Sequence, residues 1–334
     1  MTSVTHPVGS HGVAIGAPPP FDVELEAVLE VIGAYTLPDF PPEIIPALRG
    51  DDLGILDEDL ARAGAFTVQD VSVPGRDGAA EVSLLVCRPA MATRPCAALY
   101  YMHGGGMVIG TNRLGVVPDA LEVAQELGLA VVSVGYRLAP EHPHPAPVED
   151  CYAGLAWTIE HAGELGVDPA RIVAVGRSAG GGLAAAVTLL ARDRGGPTLA
   201  GQMLQSPMLD DRNDTVSARQ MAGRGLWDQN ANATGWSALL GADRGGPDVS
   251  AYAAPARATD LAGLPPTFID VGSAETFRDE DVAFATRIWQ AGGVAELHVW
   301  PGGFHGFDLM APQAAVSRHA KAARLRWLRR LLAP

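Results

Sequence analysis

The chain has 334 residues, 48% of them hydrophobic, which is enough to bury one large core. A count of 38 acidic against 24 basic residues leaves a net charge of −14; with no basic stripe, a phosphate-backbone partner such as nucleic acid is excluded. The 39 glycines and 26 prolines suit many ordered loops rather than disorder.

Residues 1–20 are rich in His, Gly, Ser and Pro and read as a loose arm ending at Pro18-Pro19-Pro20. Phe21 to Tyr35 carries Val23, Ala27, Val28, Val31 and Ile32 at amphipathic helical spacing. A proline-rich stretch, Pro38–Pro46, and an acidic one, Asp51–Asp59, follow. Phe66–Val73 and Ala80–Cys87 flank the turn Gly75-Arg76-Asp77-Gly78 and predict an antiparallel pair. Strands are then expected near 97–102, 129–135, 171–176, 199–205, 266–271 and 294–300, separated by helix-length patterns. That alternation predicts an α/β fold, a mostly parallel sheet of about eight strands with helices on both faces.

The first motif is His103-Gly104-Gly105-Gly106, directly after the apolar run Ala97–Met102. Glycines there let the backbone pass close to a ligand and point successive N–H groups into one space, as half of an oxyanion hole requires. A flexible glycine turn is the plain reading of such a run taken alone. The strand at 129–135 leads into Tyr136-Arg137-Leu138-Ala139-Pro140-Glu141, where Arg137 and Glu141 read as structural; Glu149 and Asp150 read as first-turn helix charges.

The most specific motif is Gly176-Arg177-Ser178-Ala179-Gly180, between the strand Arg171–Val175 and an alanine-rich helix over Gly181–Ala191. Strand, G-x-S-x-G, then helix is the setting of a nucleophile elbow, with free N–H groups at the helix start facing an oxyanion. Residues 210–260 then interrupt the alternation, with Met221, Leu226, Trp227, Trp236, Leu239 and Leu240 among them.

A nucleophilic serine needs a base and an orienting carboxylate, and in this chain order both follow the serine. Three histidines do: His298 inside a strand, His319 on a basic helix, and His305 in the loop Pro301–Phe307. Loops held by a rigid sheet are where a base belongs, so His305 is expected to be the general base. The carboxylate is expected after the strand at 266–271, where Glu275 and Asp279 stand as candidates, with Asp270 inside the strand a third. The last helix is amphipathic, with Leu325, Leu328 and Leu332 at helical spacing among cations that include Lys321, the chain's one lysine. Cys87, Cys96 and Cys151 lie in or beside apolar segments without metal-ligand spacing and read as buried free thiols. With no signal peptide or 18-residue apolar run visible, a cytoplasmic protein without stable membrane association is the expectation.

Taken together, His103–Gly106, Tyr136–Glu141, the elbow at Ser178, Leu264-Pro265-Pro266 and His305-Gly306-Phe307 resemble the bacterial hormone-sensitive-lipase family (family IV) of carboxylesterases over roughly residues 66–332. The resemblance implies an α/β-hydrolase fold with a helical cap: residues 1–60 as arm and cap, 61–334 as catalytic domain, 210–260 contributing to the cap. It implies a Ser178–His305–Glu275 triad, because the family's usual acid-loop pattern, aligned on Arg278-Asp279-Glu280, places the acid at Glu275; Asp279 is the rival. It also implies an oxyanion hole from Gly104, Gly105 and Ala179, hydrolysis of short- to medium-chain esters, and neither cofactor nor metal. The family commonly has Asp, Thr or Glu where this chain has Arg177, so Arg177, with Trp227 of the cap, is a candidate substrate contact. An amidase is the alternative within this chemistry and a non-catalytic ligand-binding homologue the alternative outside it; the presence of His305 favours an enzyme. A homodimer through the edge strand Val294–Trp300 is a further expectation.

Overall fold

The computed structural model describes residues 15–33, 40–49 and 55–333. The arm before residue 15 and parts of the proline-rich and acidic stretches therefore lie outside the described residues. Eight strands form one sheet: β1 (Phe66–Val73), β2 (Val82–Pro89), β3 (Cys96–Met102), β4 (Ala130–Gly135), β5 (Val167–Arg177), β6 (Gly201–Gln205), β7 (Thr267–Gly272) and β8 (Ala295–Trp300). Their order is β1-β2-β4-β3-β5-β6-β7-β8. The expected antiparallel β1–β2 pair is present, and β2 also runs antiparallel to β4. All remaining pairings are parallel.

Among the described residues the helices are α1 (Val23–Gly33), α2 (Ile45–Leu48), α3 (Asp57–Ala61), α4 (Leu121–Leu127), α5 (Ala146–Glu160), α6 (Ala162–Leu165), α7 (Ala179–Asp193), α8 (Val216–Gln220), α9 (Gln229–Leu240), α10 (Arg278–Gln290), α11 (Phe307–Met310) and α12 (Ala315–Leu331). None is long and apolar enough to cross a membrane.

Alternation along the strands divides the core between the two faces of the sheet. Leu84, Tyr100 and Ala174 pack with α5, α7 and α10, whereas Leu85, Tyr101, Val173 and Val175 pack with α3, α4 and α12. A third, smaller cluster joins Leu25 of α1 to Phe304, Phe307, Ala311 and Ala320. The first helix thus packs directly against the loop that carries His305, and Asp22 N–H donates to Gly302 O at 3.1 Å. Trp236 and Leu239 of α9 belong to the main core, so these residues of the 210–260 segment have a plain packing role.

The parallel strands bring several loop starts to one edge of the sheet. β3 and β5 are neighbours, and β7 and β8 are neighbours. Residues 103–106, the elbow, residues 273–277 and the His305 loop all leave the C-terminal ends of these strands, where α/β sheets place their sites. The strand order switches at the β3–β5 boundary, β3 leading on to β4 on one side and β5 to β6 on the other, so the loops that follow these two parallel strands, and with them the two backbone motifs, meet there.

Candidate active site

Ser178 occupies the sharp turn between β5 and α7 with φ 58° and ψ −123°, a conformation costly for a residue with a side chain. The surroundings hold it there: its N–H donates to Gln205 O at 2.8 Å, and its carbonyl accepts from Met208 N–H at 2.9 Å and Gly182 N–H at 3.0 Å. The flanking glycines are required by close approach rather than flexibility. A Cβ on Gly176 would lie 2.0 Å from Gly180 O, and one on Gly180 would lie 2.0 Å from Met102 O.

His305 Nε2 is 3.0 Å from Ser178 Oγ and its Nδ1 is 2.9 Å from Glu275 Oε1. The Phe277 ring meets the imidazole edge-on at 5.1 Å between centroids. Glu275 is buried, and its second oxygen accepts from Gly272 N–H and Ser206 Oγ, both at 2.9 Å. Two fixed donors on Oε2 leave Oε1 for the imidazole, so the carboxylate orients the ring with its Nδ1–H toward Glu275 and Nε2 free to accept from the serine.

The rival acids are engaged elsewhere. Asp279 opens α10 and accepts from Ser217 N–H at 2.7 Å and Arg278 at 2.8 Å. Asp270 accepts from Trp300 Nε1–H at 3.0 Å and Arg324 Nε–H at 2.9 Å. His298 stacks on Trp300 on β8, away from the serine partner.

The glycine motif passes against the elbow: a Cβ on Gly104 would lie 3.4 Å from Ser178 Cβ. Gly105 has φ +117°, open to glycine alone, and its carbonyl accepts from Val108 and Ile109 N–H groups at 3.0 Å. Ala179 is the first residue of α7, where backbone donors have no intrahelical partner. His103 is buried and props the loop: its Nδ1 contacts Gly104 O at 2.7 Å, it stacks on Tyr136, and Tyr136 Oη donates to His103 O at 2.8 Å. Burial lowers its pKa from 6.5 to about 4, so the ring stays neutral near pH 7.

Trp227 stands over the glycine motif. A Cβ on Gly106 would lie 2.3 Å from its Cη2 atom, and Phe40 packs on the indole at 5.5 Å. Its backbone carbonyl accepts from Thr276 Oγ1 at 2.7 Å, which ties the segment before α9 to the residue next to Glu275.

Arg177, expected as a substrate contact, points the other way. Its side chain is 8% exposed and lies behind the elbow, donating to Asp308 at 2.8 and 2.9 Å and to Asp119 at 2.9 Å. The alternation of β5 sends it to the face opposite the serine, where a guanidinium persists only because carboxylates meet it. Asp150 is also more than a first-turn charge: it is buried and takes Arg137 N–H at 2.9 Å and the guanidinium at 2.7 and 2.8 Å. Cys87 and Cys151 are buried and Cys96 is partly so; burial pushes the Cys87 thiol up to about 12.

Reading the sequence did not identify Ser206, Phe277 or Asp308. Ser206 precedes a proline after a strand and has φ 43°, a constraint invisible in composition. For Asp308 the available signal was Arg177 itself, an arginine at the end of an apolar strand, which demands an acidic partner if its side chain turns inward.

The chain's residues 99–309 match a family model described as the alpha/beta hydrolase fold. It is similar to carboxylesterase NlhH of Mycobacterium tuberculosis, 34% identical over 286 residues covering 82% of this chain and 81% of that protein. It is also similar to ethyl acetate hydrolase of Pseudomonas putida, 32% identical over 73% of this chain and 76% of that one. Among solved structures, one titled bacterial heroin esterase superposes with a TM-score of 0.86 at 43% identity, covering 94% of this chain and 98% of its own.

Proposed function

Because this chain belongs to the α/β-hydrolase fold family, as a carboxylic ester hydrolase of its hormone-sensitive-lipase branch, we propose that Ser178, His305 and Glu275 are its catalytic triad. The observation that carries this reading is the unbroken relay from Glu275 Oε1 through both ring nitrogens of His305 to Ser178 Oγ. His305 Nε2 takes the hydroxyl proton as Ser178 Oγ bonds to the ester carbonyl carbon. The N–H groups of Gly104, Gly105 and Ala179 receive the oxyanion, each donor being worth about 100- to 1,000-fold in turnover. The carbon–alkoxy bond then breaks, and His305 passes its proton to the departing alcohol. Water next attacks the acyl carbon and gives a proton to His305; the carbon–Oγ bond breaks, the acid leaves, and Ser178 recovers its proton.

The acyl group is proposed to be short to medium in length. Trp227 and Phe40 close the space above Gly106, and a similar protein is named for ethyl acetate, a two-carbon acyl ester. Residues 1–60 and 210–260 act in this reading as a cap, supported by the packing of α1 on Phe304 and by the Trp227–Thr276 tie. Hydrolysis of p-nitrophenyl esters from acetyl to dodecanoyl by the wild type and Ser178→Ala tests the assignment. Activity should peak at a short chain and vanish in the variant; equal near-background rates in both would overturn it.

A further inference from the structure

Behind the triad lies a buried cluster of charge, and each triad residue has a near neighbour in it. Arg177 precedes Ser178 by one residue, Asp308 follows His305 by three, and Asp270 precedes Glu275 by five. Arg177 grips the Asp308 carboxylate with two nitrogens, at 2.8 and 2.9 Å, and reaches Asp119 at 2.9 Å. Arg324 of α12 closes the cluster, donating to Asp270 at 2.8 and 2.9 Å and to Asp308. All five side chains are buried. The cluster therefore joins the nucleophile elbow, the strand leading to the acid and the helix after the base, without touching the space in front of Ser178.

Such a cluster is weak evidence for added stability. Well-packed apolar residues in place of a buried ion pair are often neutral or stabilising, so what the charges add is a fixed geometry. Paired nitrogens on one carboxylate constrain both distance and angle. The geometry in question is the approach of the His305 loop to the elbow.

During acylation that approach has a second tie, the Ser178 Oγ–His305 Nε2 hydrogen bond of 3.0 Å. In the acyl-enzyme, Oγ is an ester oxygen with no proton to donate, and this tie is gone. His305 must nevertheless stay in place to take a proton from the attacking water. On the elbow side it is then held through Arg177 and Asp308.

We propose that Arg177 and Asp308 are positioning residues that hold the His305 loop on the nucleophile elbow and act chiefly in deacylation. The proposal rests on the triad reading given above.

Pre-steady-state hydrolysis of p-nitrophenyl acetate by the full chain separates the two half-reactions. The variants are Asp308→Asn, nearly isosteric, and Arg177→Lys, which keeps the charge but loses the two-pronged grip. Rates are normalised to sites titrated with a p-nitrophenyl phosphate triester, so that only folded enzyme is counted. In Asp308→Asn, kcat/KM, which reads acylation, stays within about 3-fold of wild type. Turnover after the burst falls about 30- to 100-fold, the scale of an ångström-level misplacement of a catalytic group. A p-nitrophenol burst then approaches one equivalent per site, and Arg177→Lys lies between this variant and wild type. Equal falls in kcat/KM and kcat without a burst, or no change in either, would overturn the positioning role. Ser178→Ala, which has no serine to titrate and is counted by protein concentration, is run alongside: hydrolysis surviving there would overturn the triad reading itself, whereas its loss beside an unchanged Asp308→Asn sinks only the clamp.

Discussion

Replacing Glu275 with glutamine tests the site at its least obvious member. Oε2 receives two donors, Gly272 N–H and Ser206 Oγ, while Oε1 receives one, His305 Nδ1. A glutamine in the same place turns its oxygen toward the two donors and its NH2 toward the imidazole. Nδ1 then becomes the acceptor, and the ring proton moves to Nε2. That tautomer cannot take the proton of Ser178. The charge is lost as well: two unit charges about 4 Å apart at an effective dielectric of about 20 attract by ~4 kcal/mol, stabilisation removed from the imidazolium of the transition state. At 1.36 kcal/mol per decade this is about 1,000-fold, and with the wrong tautomer the expected loss in kcat approaches ~10⁴-fold. Glu275→Asp keeps the charge but is one methylene too short to serve all three donors, so its loss should be intermediate, about 10- to 100-fold. Asp279→Asn alters a half-exposed first-turn carboxylate of α10 and should stay within about 3-fold of wild type. Initial rates on p-nitrophenyl acetate per titrated site decide the matter. Glu275→Gln within 10-fold of wild type, or Asp279→Asn equally damaged, would refute the reasoning.

Two further substitutions probe buried titrating groups. Asp281 lies in α10 with neither carboxylate oxygen hydrogen-bonded among the described residues, and burial, with Glu280 and Glu275 nearby, raises its pKa well above the usual range. A raised carboxyl pKa contributes stability in full below about 3.9 and loses it as pH rises, because the unfolded chain ionises first. Asp281→Asn should therefore gain stability relative to wild type between pH 4 and pH 8, by about 1–3 kcal/mol; a thermal or urea difference that does not grow with pH contradicts this. His103 carries the opposite dependence. Its pKa is depressed from 6.5 to about 4 by burial, worth roughly 3 kcal/mol. That stability is present above pH 6.5 and is lost as pH falls through about 4. His103→Asn, whose amide can replace the Nδ1–H donor to Gly104 O, should be less stable than wild type at pH 7 but lose less on acidification. Urea unfolding at pH 7 and pH 4 measures this, and a constant difference between the two proteins would contradict it.

The parts of this molecule that were legible in its sequence are those whose signals are local. The strand expected at 97–102 is found as Cys96–Met102, and that at 266–271 as Thr267–Gly272, because apolar runs bounded by glycine and proline carry their own length. The expected antiparallel first pair and parallel remainder followed from connection lengths, yet β2 also runs against β4, a pairing that no local pattern encodes. β5 starts at Val167, before the expected Arg171, since Val167 pairs with Cys96 across a register irregularity in β3. The motif residues were legible because a nucleophile elbow and a glycine loop need particular small residues at fixed offsets.

What the sequence hid were directions and distant partners. Arg177 sits in the most recognisable motif of the chain, yet whether it faces substrate or core depends on Asp308 and Asp119, 131 and 58 residues away. Arg324 reads as one more cation on a basic helix, but the buried face of α12 runs through Ser317, Ala320, Ala323, Arg324, Trp327 and Leu328. Leu325 beside it is only half-buried. One physical fact governs both residues: a guanidinium stays buried only where carboxylates meet it. The two buried arginines therefore require buried carboxylates, and Asp119, Asp270 and Asp308 supply them. An arginine at an expected core position is thus a signal to look for a second one and for the acids between them. In this chain those buried charges run from the elbow to the helix after His305, and so to the residues on which the deacylation experiment turns.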